Sequence, residues 1–167
     1  TTYGAHGIDA VGSGDISVQN DGSIDTEDAS QAIGIYAYSD GGDVTVANGG
    51  AISAYSYSGL ADGIFASGID VDVSNSAAGT IDASGYGWAA GIEAQGTGTT
   101  TVNNGGDIYA LSMDATHAYG IYATGDVVQV GNTGNIEAQG YYATGIEAQG
   151  GSSVSITNAG DIVALDI

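Results

Sequence analysis

The chain has 167 residues and a formal net charge of −20, because it contains 20 Asp and Glu residues and neither Lys nor Arg. It also lacks Cys and Pro, but has 30 Gly and 43% hydrophobic residues. Without basic side chains nothing neutralises phosphate groups, which argues against nucleic acids and anionic membranes as partners. The absence of Cys excludes disulfides and thiolate chemistry, and no apolar run is long enough to insert into a membrane.

Three short patterns recur in the same order six times, at intervals of about 28 residues. The first, Gly-Ile-x-Ala, begins at Gly7, Gly34, Gly63, Gly91, Gly120 and Gly145. The second, a pair of alternating positions followed by Asn, ends at Asn20, Asn48, Asn75, Asn104, Asn132 and Asn158. The third, Gly-x-Ile-x-Ala, begins at Gly22 (where it ends in Thr26), Gly50, Gly79, Gly106, Gly134 and Gly160.

Each pattern alternates with a period of two residues, which predicts a short strand with one buried face. Three such strands per cycle and no helical period predict an all-β fold, a single domain over residues 1–167. The expected architecture is a parallel β-helix, or β-solenoid, of six coils without end caps, with three strands per coil and stacked Ile, Val and Ala. Stacked Asn side chains would hydrogen-bond to each other along one corner. The alternatives are a row of β-hairpins and a small propeller.

The succession Gly34-Ile-Tyr-Ala37, Val44-Thr-Val-Ala-Asn48 and Gly50-Ala-Ile-Ser-Ala54 resembles the passenger domains of bacterial autotransporters and haemagglutinin-like adhesins. The resemblance covers nearly the whole chain. It implies a right-handed β-helix displayed at the cell surface, and therefore an extracellular location. No catalytic motif accompanies the resemblance, which bears on fold more than on function.

Two histidines and a row of outward residues are the candidates for catalysis. His6 and His117 both precede a Gly-Ile strand; the alternatives are a nucleophile–base–acid site and two surface-loop histidines. Glycosidases need clustered carboxylates. The outward row of the first pattern does not provide them, because it has no two acids on adjacent coils. The outward position of the first pattern reads Asp9, Tyr36, Phe65, Glu93, Tyr122 and Glu147. We therefore predict that the protein is not an enzyme and has no catalytic or cofactor-binding residues.

Calcium is the one ion that the sequence suggests. Asp15, Asp43 and Asp70 occupy equivalent positions before the second pattern, so their carboxylates would stack one strand spacing apart. A hard cation with oxygen ligands would relieve their repulsion. The alternative, which we prefer, is a solvated acidic edge screened by salt, with no resident metal or other cofactor.

Aromatic residues are concentrated in the variable segments between one coil and the next. They are Tyr55, Tyr57, Tyr86, Trp88, Tyr119, Tyr141 and Tyr142. Such side chains could stack on sugars or mediate lateral contacts. Alternatively, they could fold back over the column as a small satellite core.

The repeat keeps its register when the two ends of the sequence are joined. Counted across the joined ends, Gly7 of the first Gly-Ile strand follows Leu165 by nine residues. Within the chain, Gly120 follows Leu111 by the same nine residues. We therefore expect a structural subunit, or a segment of a longer solenoid, in an extracellular bacterial surface fibre that assembles head to tail. The alternative is an adhesin shaft that binds glycans or a host surface through its Tyr-rich loops.

Overall fold

The computed structural model describes residues 4–114 and 116–167; the Thr1–Tyr3 part of the predicted junction and Ala115 lie outside the described residues. Within these ranges the chain forms strands, turns and bends, without a helix. In chain order the strands are β1 (Ala5–Gly12), β2 (Ile16–Asn20), β3 (Ser23–Asp28), β4 (Gln31–Ser39), β5 (Val44–Asn48), β6 (Ala51–Ser56), β7 (Leu60–Gly68), β8 (Val71–Asn75), β9 (Thr80–Gly85), β10 (Ala89–Gly96), β11 (Thr99–Asn104), β12 (Asp107–Ser112), β13 (His117–Asn132), β14 (Ile136–Gly140), β15 (Tyr142–Asn158) and β16 (Ile162–Asp166).

The strands form the three sides of a column, and neighbouring strands on each side pair in parallel. The first face contains β1, β4, β7, β10 and the first parts of β13 and β15. The second face contains β2, β5, β8, β11 and the remaining parts of β13 and β15. The third face contains β3, β6, β9, β12, β14 and β16. The predicted solenoid of six coils is confirmed, whereas its right-handed sense stays a prediction.

The last two coils differ from the expected three separate strands. In β13 and β15 the strands of the first and second faces run on without a break. These two strands also pair along both faces, with one shift of register between Gly125 and Val127. The shift absorbs the extra residue of the sixth coil, so the hydrogen-bond ladder continues around the corner.

Equivalent apolar residues of successive coils are paired, which builds the core. On the first face the inward ladder is Ile8, Ile35, Ile64, Ile92, Ile121 and Ile146. The third face contributes Ile24, Ile52, Ile81, Ile108, Ile136 and Ile162. Through the first five coils these ladders and the Val ladders of the second face form one continuous hydrophobic cluster. Each coil is therefore stabilised mainly by the coils on either side of it.

The glycine of the first pattern is required by packing. A Cβ atom at Gly91 would lie 2.2 Å from Cγ2 of Ile108, on the opposite face, and 2.7 Å from the carbonyl oxygen of Gly120. The equivalent glycines of the other coils show the same contact with the third-face Ile. Only a residue without a side chain lets the first face approach the third face this closely.

The predicted asparagine ladder is confirmed at the corner between the second and third faces. Each Asn donates a hydrogen bond from Nδ2 to Oδ1 of the Asn in the next coil, at 2.7–2.8 Å, from Asn20 through to Asn158. Nδ2 also donates to the carbonyl oxygen of the Gly that begins the third pattern, as from Asn104 to Gly106 at 2.8 Å. Because the central members are buried, the ladder satisfies polar groups that water cannot reach.

Candidate functional surfaces

The outer side of the first face carries a layer of stacked rings. His6, Tyr36 and Phe65 stack in succession, with ring centroids 4.9 and 5.0 Å apart. In the later coils Trp88 lies against Tyr119 at 4.6 Å and meets the edge of Tyr122 at 5.7 Å. Many ring faces in this layer are thus occupied by other rings, and the layer packs as a satellite core.

Both histidines belong to this aromatic layer. His6 lies within β1, with its side chain only 13% exposed, and Nδ1 is 3.2 Å from Oδ2 of Asp9. His117 begins β13 and stacks on Tyr142, with ring centroids 4.9 Å apart. The expected loop position of the two histidines is wrong, because both lie in strands of the first face; His6 is partly buried, whereas His117 is exposed at the surface, as expected. Neither makes a hydrogen bond to a hydroxyl group within the described residues.

A second group of tyrosines remains in solvent, so the two interpretations of the aromatics apply to different residues. Tyr57, Tyr86 and Tyr141 follow the third-face strand in the second, third and fifth coils, at the corner that leads to the first face. Their exposures are 52%, 46% and 53%. Tyr141 also meets Tyr142 edge to face at 4.7 Å. These three residues, here called the exposed tyrosine row, are available for contact with a partner.

The acidic stack of Asp15, Asp43 and Asp70 is held by backbone hydrogen bonds. Oδ1 of Asp15 accepts the N–H of Asp43 at 3.1 Å, and Oδ1 of Asp43 accepts the N–H of Asp70 at 3.2 Å. Oδ1 of Asp70 accepts the N–H of Thr99 at 2.6 Å. Each carboxylate thus joins its coil to the next. In the part of the chain that the structure describes, no three His, Asp or Glu side chains are grouped to hold a metal ion.

A shallow groove on the third face is also acidic. Its lining includes Asp82, Tyr109 and Glu137 on neighbouring strands, and Nδ2 of Asn135 donates to Oδ1 of Asp107 at 2.9 Å. Partial burial, followed by the charges of Glu137 and Asp82, raises the pKa of Tyr109. Its phenol therefore stays neutral and able to donate a hydrogen bond across the physiological range.

The outward row of the first face has the predicted register, but the structure places a further acid beside it. Asp62, in the position immediately before the Gly of the third coil, is 1% exposed, and Glu93 of the fourth coil is 8% exposed. Sequence reasoning counted only the position after Ile and so missed Asp62. The available signal was its column, in which Asp62 is the only acid: His6, Ile33, Asp62, Ala90, Tyr119 and Thr144.

Burial and mutual repulsion oppose ionisation of this pair. Burial, followed by the charge of Glu93, raises the pKa of Asp62 well above its usual range. Burial also raises the pKa of Glu93, although a hydrogen bond from the Gln95 amide partly opposes this. The two carboxyl groups share one environment without a cationic partner, since the chain has neither Lys nor Arg.

No family model matches this chain, and comparisons with curated proteins and with solved structures give no match either. In the described residues no helix is both long and apolar enough to cross a membrane. The resemblance to autotransporter passengers and adhesins thus stays a prediction from the repeat pattern.

Proposed function

We propose that this solenoid is a structural element of an extracellular bacterial surface fibre, in which coils of the same pattern stack head to tail. The supporting observation is the open sixth coil. Its core-facing residues Val154 and Ile156 are 46% and 48% exposed, whereas the equivalent Val128 and Val130 of the fifth coil are 0% and 2% exposed. A further coil placed on this surface would bury those side chains.

The first coil offers a matching surface. Ile8, Ile16 and Ile24 are only partly buried, and they occupy the same ladder positions as Ile146, Val154 and Ile162. Asn158 also ends the ladder of amides: Oδ1 accepts from Asn132, and Nδ2 donates to Gly160. Its second N–H would reach an Asn20 placed one coil further, so that the amide ladder continues across the junction. Open parallel strand edges favour the same association.

The test replaces by Asp one core-facing and one outward-facing apolar residue of the sixth coil. The side chain of Ile156 faces the core, in the same ladder as Val130, and is 48% exposed. Val163 lies on the outward side of β16 and is 43% exposed. Ile156→Asp is expected to abolish concentration-dependent filaments in light scattering and electron microscopy, whereas Val163→Asp is expected to retain them. A wild-type chain that stays monomeric at high concentration and moderate salt, or filaments that survive Ile156→Asp, would contradict head-to-tail stacking.

Non-enzymatic adhesion through the exposed tyrosine row is the second candidate function. The exposed Tyr57, Tyr86 and Tyr141 lie in one row and have an apolar ring and a polar hydroxyl, a combination suited to sugars. Replacing all three by Ser should abolish binding on a glycan array or to host cells, and Tyr38→Ser on the first face is the control. Immunogold labelling of producing cells tests the proposed surface location. Release of sugars from a polysaccharide would contradict a non-enzymatic role.

A further inference from the structure

The buried acids of the first face lie beneath the sole tryptophan of the chain. Trp88 precedes β10 in the segment that joins the third face to the first, and its ring packs on Tyr119, which is 6% exposed. Its Nε1 lies close to the carboxyl groups of Asp62 and Glu93. The Trp88 ring, here called the Trp88 cover, lies beside both acids, which are 1% and 8% exposed.

This contact is incompletely satisfied. Nε1 of Trp88 and Oδ1 of Asp62 are both buried, and neither makes a well-formed hydrogen bond within the described residues, although Nε1 lies near enough to both carboxyl groups to favour their charged forms. Glu93 receives one hydrogen bond, from Nε2 of Gln95. An unpaired buried polar atom is costly, and an unpaired buried charge is more so. The packed arrangement is therefore compatible with a neutral Asp62 and strained by an ionised one.

No fixed positive charge from the surrounding elements offsets this strain. On one side, β4 presents Ile33 beside Asp62 and Tyr36 further along the face. On the other side, β10 contributes Glu93, β13 contributes Tyr119 and Tyr122, and β15 contributes Glu147. His117 also lies near the cover, with its ring centroid 6.2 Å from that of Trp88.

We propose that Asp62, Glu93 and Trp88 form a proton-controlled latch, in which the Trp88 cover stays closed while the acid pair retains a proton and opens when both carboxyl groups are ionised. On opening, the remaining carboxyl proton passes to water, water enters to hydrate the two carboxylates, and the indole leaves the face of Tyr119. Acidification reverses the change. The latch would thereby expose an aromatic and acidic patch on the first face only above a threshold pH.

The single tryptophan makes the latch directly observable. Fluorescence of Trp88 between pH 3 and pH 9 should show a red shift and greater quenching by acrylamide as pH rises. The midpoint should lie above the usual carboxyl values of about 4, while far-UV circular dichroism stays constant. A flat emission maximum in the wild-type chain would by itself overturn the proposal, whatever the variants do.

Four variants assign the transition. Asp62→Asn should remove the transition, because it removes the buried group whose ionisation strains the closed cover. Glu93→Gln should keep the transition but lower its midpoint, because burial still opposes ionisation of Asp62 while the neighbouring charge is gone. Asp72→Asn, an exposed acid of the same coil, should leave it unchanged. His117→Gln should also leave it in place, because the latch does not depend on this imidazole, which lies beside Trp88. A transition that persists in Asp62→Asn, keeps its midpoint in Glu93→Gln, or disappears with His117→Gln would refute the latch.

Discussion

Asn104→Ala tests how much the asparagine ladder contributes to stability. In the wild type this side chain donates to Asn132 Oδ1 at 2.7 Å and to the Gly106 carbonyl at 2.8 Å, and it accepts from Asn75 Nδ2 at 2.8 Å. The substitution removes all three bonds. Each buried bond contributes about 1 kcal/mol net, and each partner left unsatisfied costs about 1–3 kcal/mol.

Water cannot easily replace the lost partners. Asn75 and Asn132 are each 1% exposed, so the loss extends into the coils above and below. We therefore expect the free energy of unfolding to fall by about 3–5 kcal/mol, which is large against the 5–15 kcal/mol of a typical domain. Urea titration followed by far-UV circular dichroism measures the change.

Asn103→Ala is the matched control, because Asn103 is the preceding residue of β11 and its side chain is exposed. Its cost should stay within about 0.5 kcal/mol. Asn158→Ala should be intermediate, since Asn158 belongs to the ladder but is exposed where it bonds to Gly160. Equal midpoints for Asn103→Ala and Asn104→Ala would show that the ladder adds nothing beyond the backbone pairing.

Three further outcomes are expected. Gly91→Ala should lower the free energy of unfolding by about 3 kcal/mol in a urea titration, because its Cβ would lie 2.2 Å from Ile108 Cγ2. Gly131→Ala should be nearly neutral, because its Cβ would lie 3.2 Å from the side-chain oxygen of the exposed Asn103. Equal costs for the two variants would contradict the packing argument. Asp62→Asn should stabilise the chain at pH 7 and lose this advantage towards pH 4, because an acid whose pKa is raised by folding destabilises the folded state as pH increases; a gain independent of pH would contradict this. Millimolar calcium, or acidification towards the pI of about 4.1, should raise the melting temperature by reducing repulsion among the carboxylates, and flat melting curves across chelator, calcium and low pH would contradict it.

The core could be predicted because each coil repeats the chemistry of the previous one. A strand of period two has only two faces, and a one-residue slip would turn Ile35 or Val46 outward, so the repeat itself fixes the register. The same reasoning placed Asn48 above Asn20 and Asp43 above Asp15. It could not show that a backbone N–H of the next coil binds each stacked carboxylate, because that bond depends on the path of the chain around the corner.

The Trp88 cover depends on residues that do not repeat. The burial of Asp62 requires Trp88 from a variable segment, Tyr119 from two coils further on, and Glu93 from the coil between. Each lies at a position occupied by another residue type in the neighbouring coils, so periodicity gives no information about their contact. A repeat therefore predicts the interior of this column, whereas its individual surface properties arise where single residues depart from the repeat. Asp62 is such a departure: an acid between Ile33 and Ala90, buried where other coils have uncharged side chains. Restoring the apolar character of this column with Asp62→Ala would keep the fold and remove the proposed response to pH.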